Sequence, residues 1–217
     1  MGMCSSKSKE TKNNKYKYLK EFLRSNLQNQ KSVTIDLSER YISEKDILDL
    51  NVALSQCQNL NILSLSLNGY GVVKQFIKLV QILENLQNLI RLELNLEYNQ
   101  INDSQCQSLA NSLQKSLNIQ YLELALKNNK ISDEGFSQIF CALEKLTNLK
   151  ALILQLGWNK INLNDLSLFQ IRFQNCSKLI IFNLDLRQNQ INDRIQQQLA
   201  SKISKQKRLV LKQVVLK

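Results

Sequence analysis

The apolar and polar residues of this chain follow one pattern that returns about every thirty residues. The first half of each unit alternates apolar with other residues, as in Leu92–Leu96, which is the period of a β-strand with one buried side. The second half places apolar residues three or four apart, as in Ile139, Leu143 and Leu146, which is the period of an amphipathic helix. This fixed period predicts a stacked array of strand–turn–helix units. The units begin at Leu60, Leu89, Ile119, Leu149 and Leu179.

Aspartates and asparagines recur at fixed places within the units. Asp103, Asp133 and Asp193 fall where each helix should begin, and we expect their carboxylates to cap the free N–H groups of those helices. The asparagines follow each strand. A buried asparagine has to be hydrogen-bonded, so we expect a ladder that ties the turns of neighbouring units together. This Asn ladder comprises Asn99, Asn129, Asn159 and Asn189.

With these residues in place, the unit reads L-x-x-L-x-L-x-L-x-x-N-x-I-x-D and resembles the leucine-rich repeat family. It is most similar to the long, ribonuclease-inhibitor-like branch, which includes the Ran GTPase activator. The resemblance implies an α/β leucine-rich repeat solenoid with parallel strands on one face and helices on the other. Arg40 and Tyr70 replace the ladder asparagine in the first two units, and Leu163 replaces an aspartate, so local loops should differ there.

The chain is expected to form one repeat domain with two additions at its N-terminus. About seven parallel strands, from Val33–Leu37 to Leu209–Leu211, would give a short arc over residues 32–217 with a basic C-terminal cap. Helical spacing of apolar residues predicts a capping helix over residues 16–31, which would cover the core of the first unit. Residues 1–15 are expected to be a disordered, acylated segment.

The net charge of +11 is concentrated at the two ends of the chain. Residues 1–31 carry eight Lys or Arg and two acids, and residues 202–217 carry six Lys or Arg and no acid. The repeat body is therefore close to neutral. Because a nucleic-acid site needs basic residues spread over one face, we do not expect nucleic acid to be the partner.

The residues that catalysis would need are missing from the pattern. The chain has no histidine, which rules out a Ser-His-Asp triad, and it has no glycine-rich phosphate loop. Its five cysteines lack the C-x-x-C spacing of a zinc site. We therefore predict that the protein is not an enzyme and uses no cofactor, metal ion or small-molecule substrate. The cysteines are interpreted as small buried residues in a reducing compartment.

The first residues match a lipid-attachment pattern. Met1–Ser6 fits M-G-x-x-x-[ST], so we expect myristoylation of Gly2 after removal of Met1, and palmitoylation of Cys4. One myristoyl chain binds a membrane weakly, and a second signal is needed for stable attachment. Attraction to an anionic membrane surface would come from Lys7, Lys9, Lys12, Lys15 and Lys17. The alternative is a basic tail that carries no lipid. The expected localisation is cytoplasmic, peripheral at a membrane.

Residues between the inward leucines must point to the other side of the sheet, where a partner can reach them. That side is small or polar and slightly acidic, and exposed aromatic residues at its edge are frequent sources of binding energy. A partner protein with a basic patch is therefore expected. The alternative for the aromatics is packing against adjacent turns. The predicted partner-binding residues are Glu93, Asn95, Glu97, Tyr98, Glu123, Gln155, Trp158 and Asp185.

Together these features predict a protein–protein interaction adaptor that is tethered to the cytosolic face of a membrane. The resemblance to the Ran GTPase activator leaves regulation of a small GTPase as an alternative, although a fold does not fix a function. A structural component of a larger assembly is a third interpretation.

Overall fold

The computed structural model of the chain describes residues 14–69, 71–164, 166, 173 and 175–216. Its strands form one parallel sheet in chain order. This sheet, with helices between successive strands, confirms the predicted α/β fold class, a leucine-rich repeat solenoid. The strands are β1 (Asn14–Tyr16), β2 (Ser32–Asp36), β3 (Ile62–Ser66), β4 (Arg91–Asn95), β5 (Tyr121–Ala125), β6 (Ala151–Gln155), β7 (Ile181–Asp185) and β8 (Leu211–Val215).

The helices differ in length along the chain. Within the described ranges, no helix is long and apolar enough to cross a membrane. Short 3₁₀ segments at Leu27–Asn29, Val73–Gln75 and Ile82–Asn85 complete the N-terminal half. The α-helices whose bounds lie within the described ranges are α1 (Leu19–Leu23), α2 (Glu44–Ser55), α3 (Phe76–Gln81), α4 (Asp103–Leu113), α5 (Asp133–Leu143) and α6 (Asp193–Ser204).

The N-terminal end differs from the prediction. Residues 16–31 do not form one helix, because α1 has only five residues and Tyr16 belongs to β1. The side chain of Gln30 explains this arrangement. It is buried, its Oε1 accepts from Asn14 Nδ2 at 2.6 Å, and its Nε2 donates to the Tyr16 hydroxyl at 3.0 Å. These bonds hold β1 beside β2, so the sheet has eight strands rather than about seven.

The C-terminal strand also starts later than predicted. Leu209 is buried ahead of β8, while β8 itself begins at Leu211 and is exposed over its first half. Of the predicted N-terminal segment, Lys15 lies in β1 and Lys17 follows it, both exposed. The predicted acylation sites and the other lysines of that segment lie outside the described residues: Gly2, Cys4, Lys7, Lys9 and Lys12.

The core lies between the sheet and the helices. Leucines at matching places pair in register along the sheet, as Leu92 with Leu122 and Leu94 with Leu124. Each is at most 5% exposed. Full burial of one such side chain contributes about 1.5–3 kcal/mol relative to leaving it in water. Because every unit adds the same rows, stacking buries one continuous apolar core that no unit could close alone.

The four predicted ladder asparagines all bridge neighbouring units by hydrogen bonds. Asn129 is representative: its Oδ1 accepts from the N–H groups of Asn99 (3.1 Å) and Ile101 (2.9 Å). Its Nδ2 donates to the carbonyls of Leu96 at 3.0 Å and Leu126 at 2.9 Å. Asn99, Asn159 and Asn189 make corresponding bonds to the turns beside them. These contacts satisfy backbone groups that the turns would otherwise bury without partners.

The recurring aspartates do not cap their own helices, as the sequence had suggested. The capping side chains are one residue earlier, at Asn102, Ser132 and Asn192. The carboxylate of Asp103 reaches the next unit instead, where it accepts from Ser132 Oγ at 2.7 Å and from the Gly135 N–H at 3.0 Å. Asp133 likewise accepts from the N–H groups of Asn162 at 2.7 Å and Leu163 at 2.9 Å, so Asp103 and Asp133 form a second ladder along the helix starts.

Candidate protein-binding surface

The outward face of the sheet carries three residues per strand. In β4 these are Arg91, Glu93 and Asn95, and in β5 the matching residues are Tyr121, Glu123 and Ala125. The prediction used only the second and third positions. It missed Arg91 and Tyr121, although the alternation of the strand, extended two residues towards its start, would have identified both.

Arg91 and Tyr121 change the electrostatics of Glu93 and Glu123, two of the predicted partner-binding residues. Arg91 lies 3.8 Å from the centre of the Tyr121 ring and forms an ion pair with Glu93 at 2.6 Å. The Tyr121 hydroxyl donates to Glu123 at 2.8 Å. Burial, together with this bond, raises the pKa of Tyr121 to about 12. Glu93 and Glu123 are register partners, yet each is held by a neighbour on its own strand, so the pair is partly neutralised.

A shallow cavity of about 240 Å³ opens on this face. The predicted residues Glu93, Asn95, Glu97, Glu123 and Gln155 all line it. Gln155 Nε2 donates to Glu123 at 3.3 Å, and the Asn95 side chain accepts from the Glu97 N–H at 3.2 Å. Burial raises the pKa of Glu97, with a further contribution from Asp185, while Lys127 acts in the opposite direction. Glu97 is thus a carboxylate for which an added cation would be favourable.

Asp185 lies on the same face but is already paired. Its carboxylate accepts from the guanidinium of Arg187, with the Arg187 Nη2 at 2.7 Å. Burial alone would raise the pKa of Asp185, but the hydrogen bonds from Arg187 outweigh it and the pKa is lowered. Gly157 lets the two neighbouring turns approach closely, since a Cβ there would lie 3.2 Å from the Arg187 carbonyl oxygen. The structure therefore places Asp185 in a local ion pair beside the aromatic edge.

The turns after β2 to β7 all have a residue in the left-handed backbone region at the same place in the repeat. Tyr98 (φ 58°) and Trp158 (φ 59°) occupy this place two units apart, and Gly69 occupies it with φ 111°. The N–H of each donates to the next turn, Tyr98 to Lys127 at 3.0 Å and Trp158 to Arg187 at 2.8 Å. Left-handed geometry is costly for a bulky side chain, about 1–2 kcal/mol per residue. The neighbouring units place Glu39, Asn128 and Gln188 there.

This turn geometry directs both aromatic rings away from the core. Tyr98 is 40% exposed and Trp158 is 52% exposed. With one unit between them and neighbouring parallel strands about 4.8 Å apart, the two turns are about 10 Å apart. The predicted residues Glu93, Glu97, Tyr98, Glu123 and Trp158 therefore lie along one continuous strip of the sheet and its edge.

The cysteines take no part in this surface. Cys57, Cys106 and Cys176 are buried in the core. Burial raises the pKa of Cys57 and Cys176 to about 11 and that of Cys106 to about 12. These thiols are therefore protonated and unreactive at neutral pH.

Comparison with known proteins found likenesses among solved structures only. No family model and no curated protein matches the chain. Among solved structures, internalin C2 from Listeria monocytogenes is 23% identical, with a TM-score of 0.46 over 88% of this chain and 64% of that protein. A leucine-rich repeat protein of Leptospira interrogans is 15% identical, with a TM-score of 0.27 over 82% of this chain and 61% of that protein.

The chain thus spans less than two thirds of the length of either protein. Its repeating parallel strands, its Asn ladder and its leucine core define its fold. By these features the chain is a leucine-rich repeat solenoid.

Proposed function

We propose that this protein is a non-enzymatic scaffold that binds another protein through the outward face of its sheet and the adjoining turns. The observation that carries the proposal is the placement of Tyr98 and Trp158. Both aromatic residues are exposed, and both are held in the strained left-handed position of their turns. Strain of this kind persists only where the surrounding structure imposes it, and it occurs preferentially at binding sites.

The charges on the face indicate the chemistry of the partner. Arg91 and Arg187 already pair with Glu93 and Asp185. Glu97 forms no ion pair within the described part of the chain, and burial disfavours its charge. A Lys or Arg of the partner that enters the cavity beside Glu97 would relieve that cost. We therefore infer a partner with a short basic stretch, bound mainly by the aromatic residues and oriented by Glu97 and Glu123.

The experiment replaces both aromatic residues with asparagine, which already occupies the equivalent turn of the unit between them. Asn128 is the natural occupant of this position between the two aromatics, so Tyr98→Asn/Trp158→Asn should retain the fold. Quantitative affinity purification with the wild type and the double variant should show loss of the specific partner with the variant. Gln188→Asn, made at the equivalent turn near the C-terminal end, is the control and should retain it. An unchanged partner set in the double variant would refute the proposed surface.

We further propose membrane attachment through myristoylated Gly2 and palmitoylated Cys4, with the lysines behind them. The sequence pattern supports this, and two of the lysines, Lys15 and Lys17, are exposed at the N-terminal edge of the sheet. Mass spectrometry of the native N-terminus should find a 14-carbon acyl group on Gly2. Gly2→Ala should move the protein from the membrane fraction to the soluble fraction. An unmodified or acetylated N-terminus would refute attachment.

A second candidate function is regulation of a small GTPase. It is favoured by the length of the repeat unit, since α4 and α5 have eleven residues each and long units resemble the branch that includes the Ran GTPase activator. A GTP-hydrolysis assay with a panel of small GTPases tests this directly. Acceleration of at least one member is expected, and no acceleration across the panel would eliminate it.

A further inference from the structure

A second cavity, separate from the outward face, opens where one unit departs from the repeat. This unit is built on β3 and covers residues 62–85; we call it the third-strand repeat. It has Gly71 at a position where other repeats have a residue with a side chain. The matching residues are Tyr41, Gln100 and Lys130. A Cβ built on Gly71 would meet nothing within 4 Å. The result is a cavity of about 560 Å³ between the flanking units, which we call the rim cleft. Its volume lies in the range of ligand sites.

The described lining of the rim cleft is basic. Lys74 and Lys130 both line it, and no acidic side chain does. Lys74 stands where the regular units have the bridging aspartates Asp103 and Asp133, so this unit has a cation in place of a carboxylate. Lys130 Nζ donates to Gln100 Oε1 at 3.0 Å and forms no ion pair within the described ranges. An anion in the cleft would therefore meet two ammonium groups that have no carboxylate partner among the described residues.

A buried acceptor in the same wall indicates what else the ligand should carry. Gln75 lines the cleft, and its Oε1 is buried without a hydrogen-bond partner among the described residues. A buried acceptor that is left unpaired is costly, and native structures seldom retain one without a reason. If the Gln75 side chain turns into the cleft, a ligand with an N–H or O–H donor next to its negative charge would satisfy this oxygen. Backbone N–H groups alternate with carboxylates in an acidic peptide.

An exposed aromatic ring completes the cleft. Tyr41 lines it and is 81% exposed, the most exposed tyrosine of the described chain. A ring in that position offers an apolar surface against which a bound chain can lie. The rim cleft thus combines two cations, one unsatisfied acceptor and one aromatic wall.

We propose that the rim cleft binds an acidic peptide segment of a partner protein. A carboxylate of the segment lies between Lys74 and Lys130, and a backbone N–H donates to Gln75 Oε1 after that side chain turns into the cleft. This site goes beyond the proposed function, because its charge is opposite to that of the outward face and it recognises the opposite kind of sequence.

The test uses a capped hexaglutamate peptide with an uncharged fluorophore as the probe, in fluorescence anisotropy titrations near physiological salt. The wild-type protein should bind it, and Lys74→Gln/Lys130→Gln should weaken binding by about tenfold. Lys160→Gln is the matched control. Lys160 occupies the same place in the unit after Lys130 but does not line the cleft, so its loss should change binding by less than about twofold.

A second variant separates ligand contact from folding. Gln75→Met removes the unpaired acceptor, so the protein should unfold at the same or a higher temperature while hexaglutamate binds more weakly. Three results would overturn the proposal: no binding of hexaglutamate to the wild type, equal weakening by Lys160→Gln, or full displacement of the peptide by low-millimolar inorganic phosphate. The last result would show a site for small anions instead.

Discussion

The repeats built on β4 and β5 have both the ladder asparagine and the bridging aspartate, and we call them closed. The third-strand repeat has neither residue, and we call it open. In the closed repeats, Asn129 and Asp103 each join two units through side-chain hydrogen bonds, and α4 packs beside α5. In the open repeat the ladder asparagine is absent from the sequence, and Lys74 takes the place of the bridging aspartate. Its helix is reduced to six residues between two 3₁₀ segments, and the helix start has no side-chain cap.

Unsatisfied polar atoms are concentrated near the open repeat, although Gln138 Oε1 in α5 and Arg208 Nε also have no partner among the described residues. Three buried side-chain oxygens without partners among the described residues lie in or beside the open repeat, on Asn51, Asn68 and Gln75. The apolar core nevertheless runs through without a break, because Leu63, Leu65 and Phe76 remain buried. The difference teaches that the leucines alone are enough to continue the stack, while the polar ladders decide whether its edge is sealed or left available to a ligand.

The largest effect should come from breaking the ladder in a closed repeat. Asn129→Ala removes the partners of two backbone N–H groups and two carbonyls inside the stack, so it should lower the free energy of unfolding by about 3 kcal/mol. Arg40→Ala, at the equivalent but exposed place in an earlier unit, should change it by less than about 0.5 kcal/mol. Urea denaturation followed by circular dichroism measures both, and equal effects would show that the ladder does not stabilise the stack.

A pair of glycines tests the same contrast through backbone packing. A Cβ on Gly135 would overlap the Asp103 carboxylate, so Gly135→Ala should destabilise by about 2 kcal/mol. Gly71→Ala enters open space without a left-handed backbone and should stabilise by about 0.5 kcal/mol, because it restricts the unfolded chain. The two shifts in urea midpoint should have opposite signs. A loss of stability in Gly71→Ala would mean that the open repeat is tightly packed.

A smaller effect is expected at the exposed aromatic residue that follows β6. Trp158→Asn relieves left-handed strain and removes a ring that is half exposed, so the free energy of unfolding should stay constant or rise by up to about 1 kcal/mol. Gln188→Asn provides the reference for the same turn. If Trp158→Asn instead destabilises by more than about 1 kcal/mol, the ring packs structurally against adjacent turns, as the alternative interpretation of the sequence has it.

The smallest effect concerns two carboxylates of the outward face. Burial raises the pKa of Glu97 above 4.5, so the folded state binds its proton more tightly and stability falls as pH rises through the folded pKa. The pKa of Asp185 is lowered below 3.8, so its contribution is present above 3.8 and is lost as pH falls.

Glu97→Gln should therefore stabilise slightly at pH 7, by less than about 0.5 kcal/mol because solvent screens the group. Asp185→Asn should destabilise slightly at the same pH. Thermal unfolding at pH 7 and pH 3 checks both, since each difference should shrink at pH 3. A Glu97→Gln gain that persists unchanged at pH 3 would show that its origin is not the ionisation of this carboxylate.

Much of the architecture could be predicted because it follows from local periodicity. Alternation in Leu92–Leu96 and helical spacing in Ile139–Leu146 each require only neighbouring residues. The N-terminal end could not be predicted in the same way. Tyr16 joins a strand because Gln30 binds its hydroxyl, and that contact links residues fourteen apart in the sequence.

The arrangement of the outward face was predicted only in part for the same reason. Glu93, Glu123 and the two aromatic residues follow from strand alternation and turn composition. Two contacts could not be predicted, because they depend on which side chains meet in space. They are the ion pair of Arg91 with Glu93 and the hydrogen bond from Tyr121 to Glu123. The rim cleft depends on a missing side chain, at Gly71, between two units that pack around it.

By itself the sequence determined the thirty-residue period, the inward leucines and the place of each ladder asparagine, because backbone geometry converts residue spacing directly into direction. Only the tertiary structure decided the eighth strand, the exchange of capping and bridging roles between Asn102 and Asp103, the left-handed turns that expose Tyr98 and Trp158, and the opening beside Lys74. Each of these arises from contacts between units, whose free energies no single unit contains.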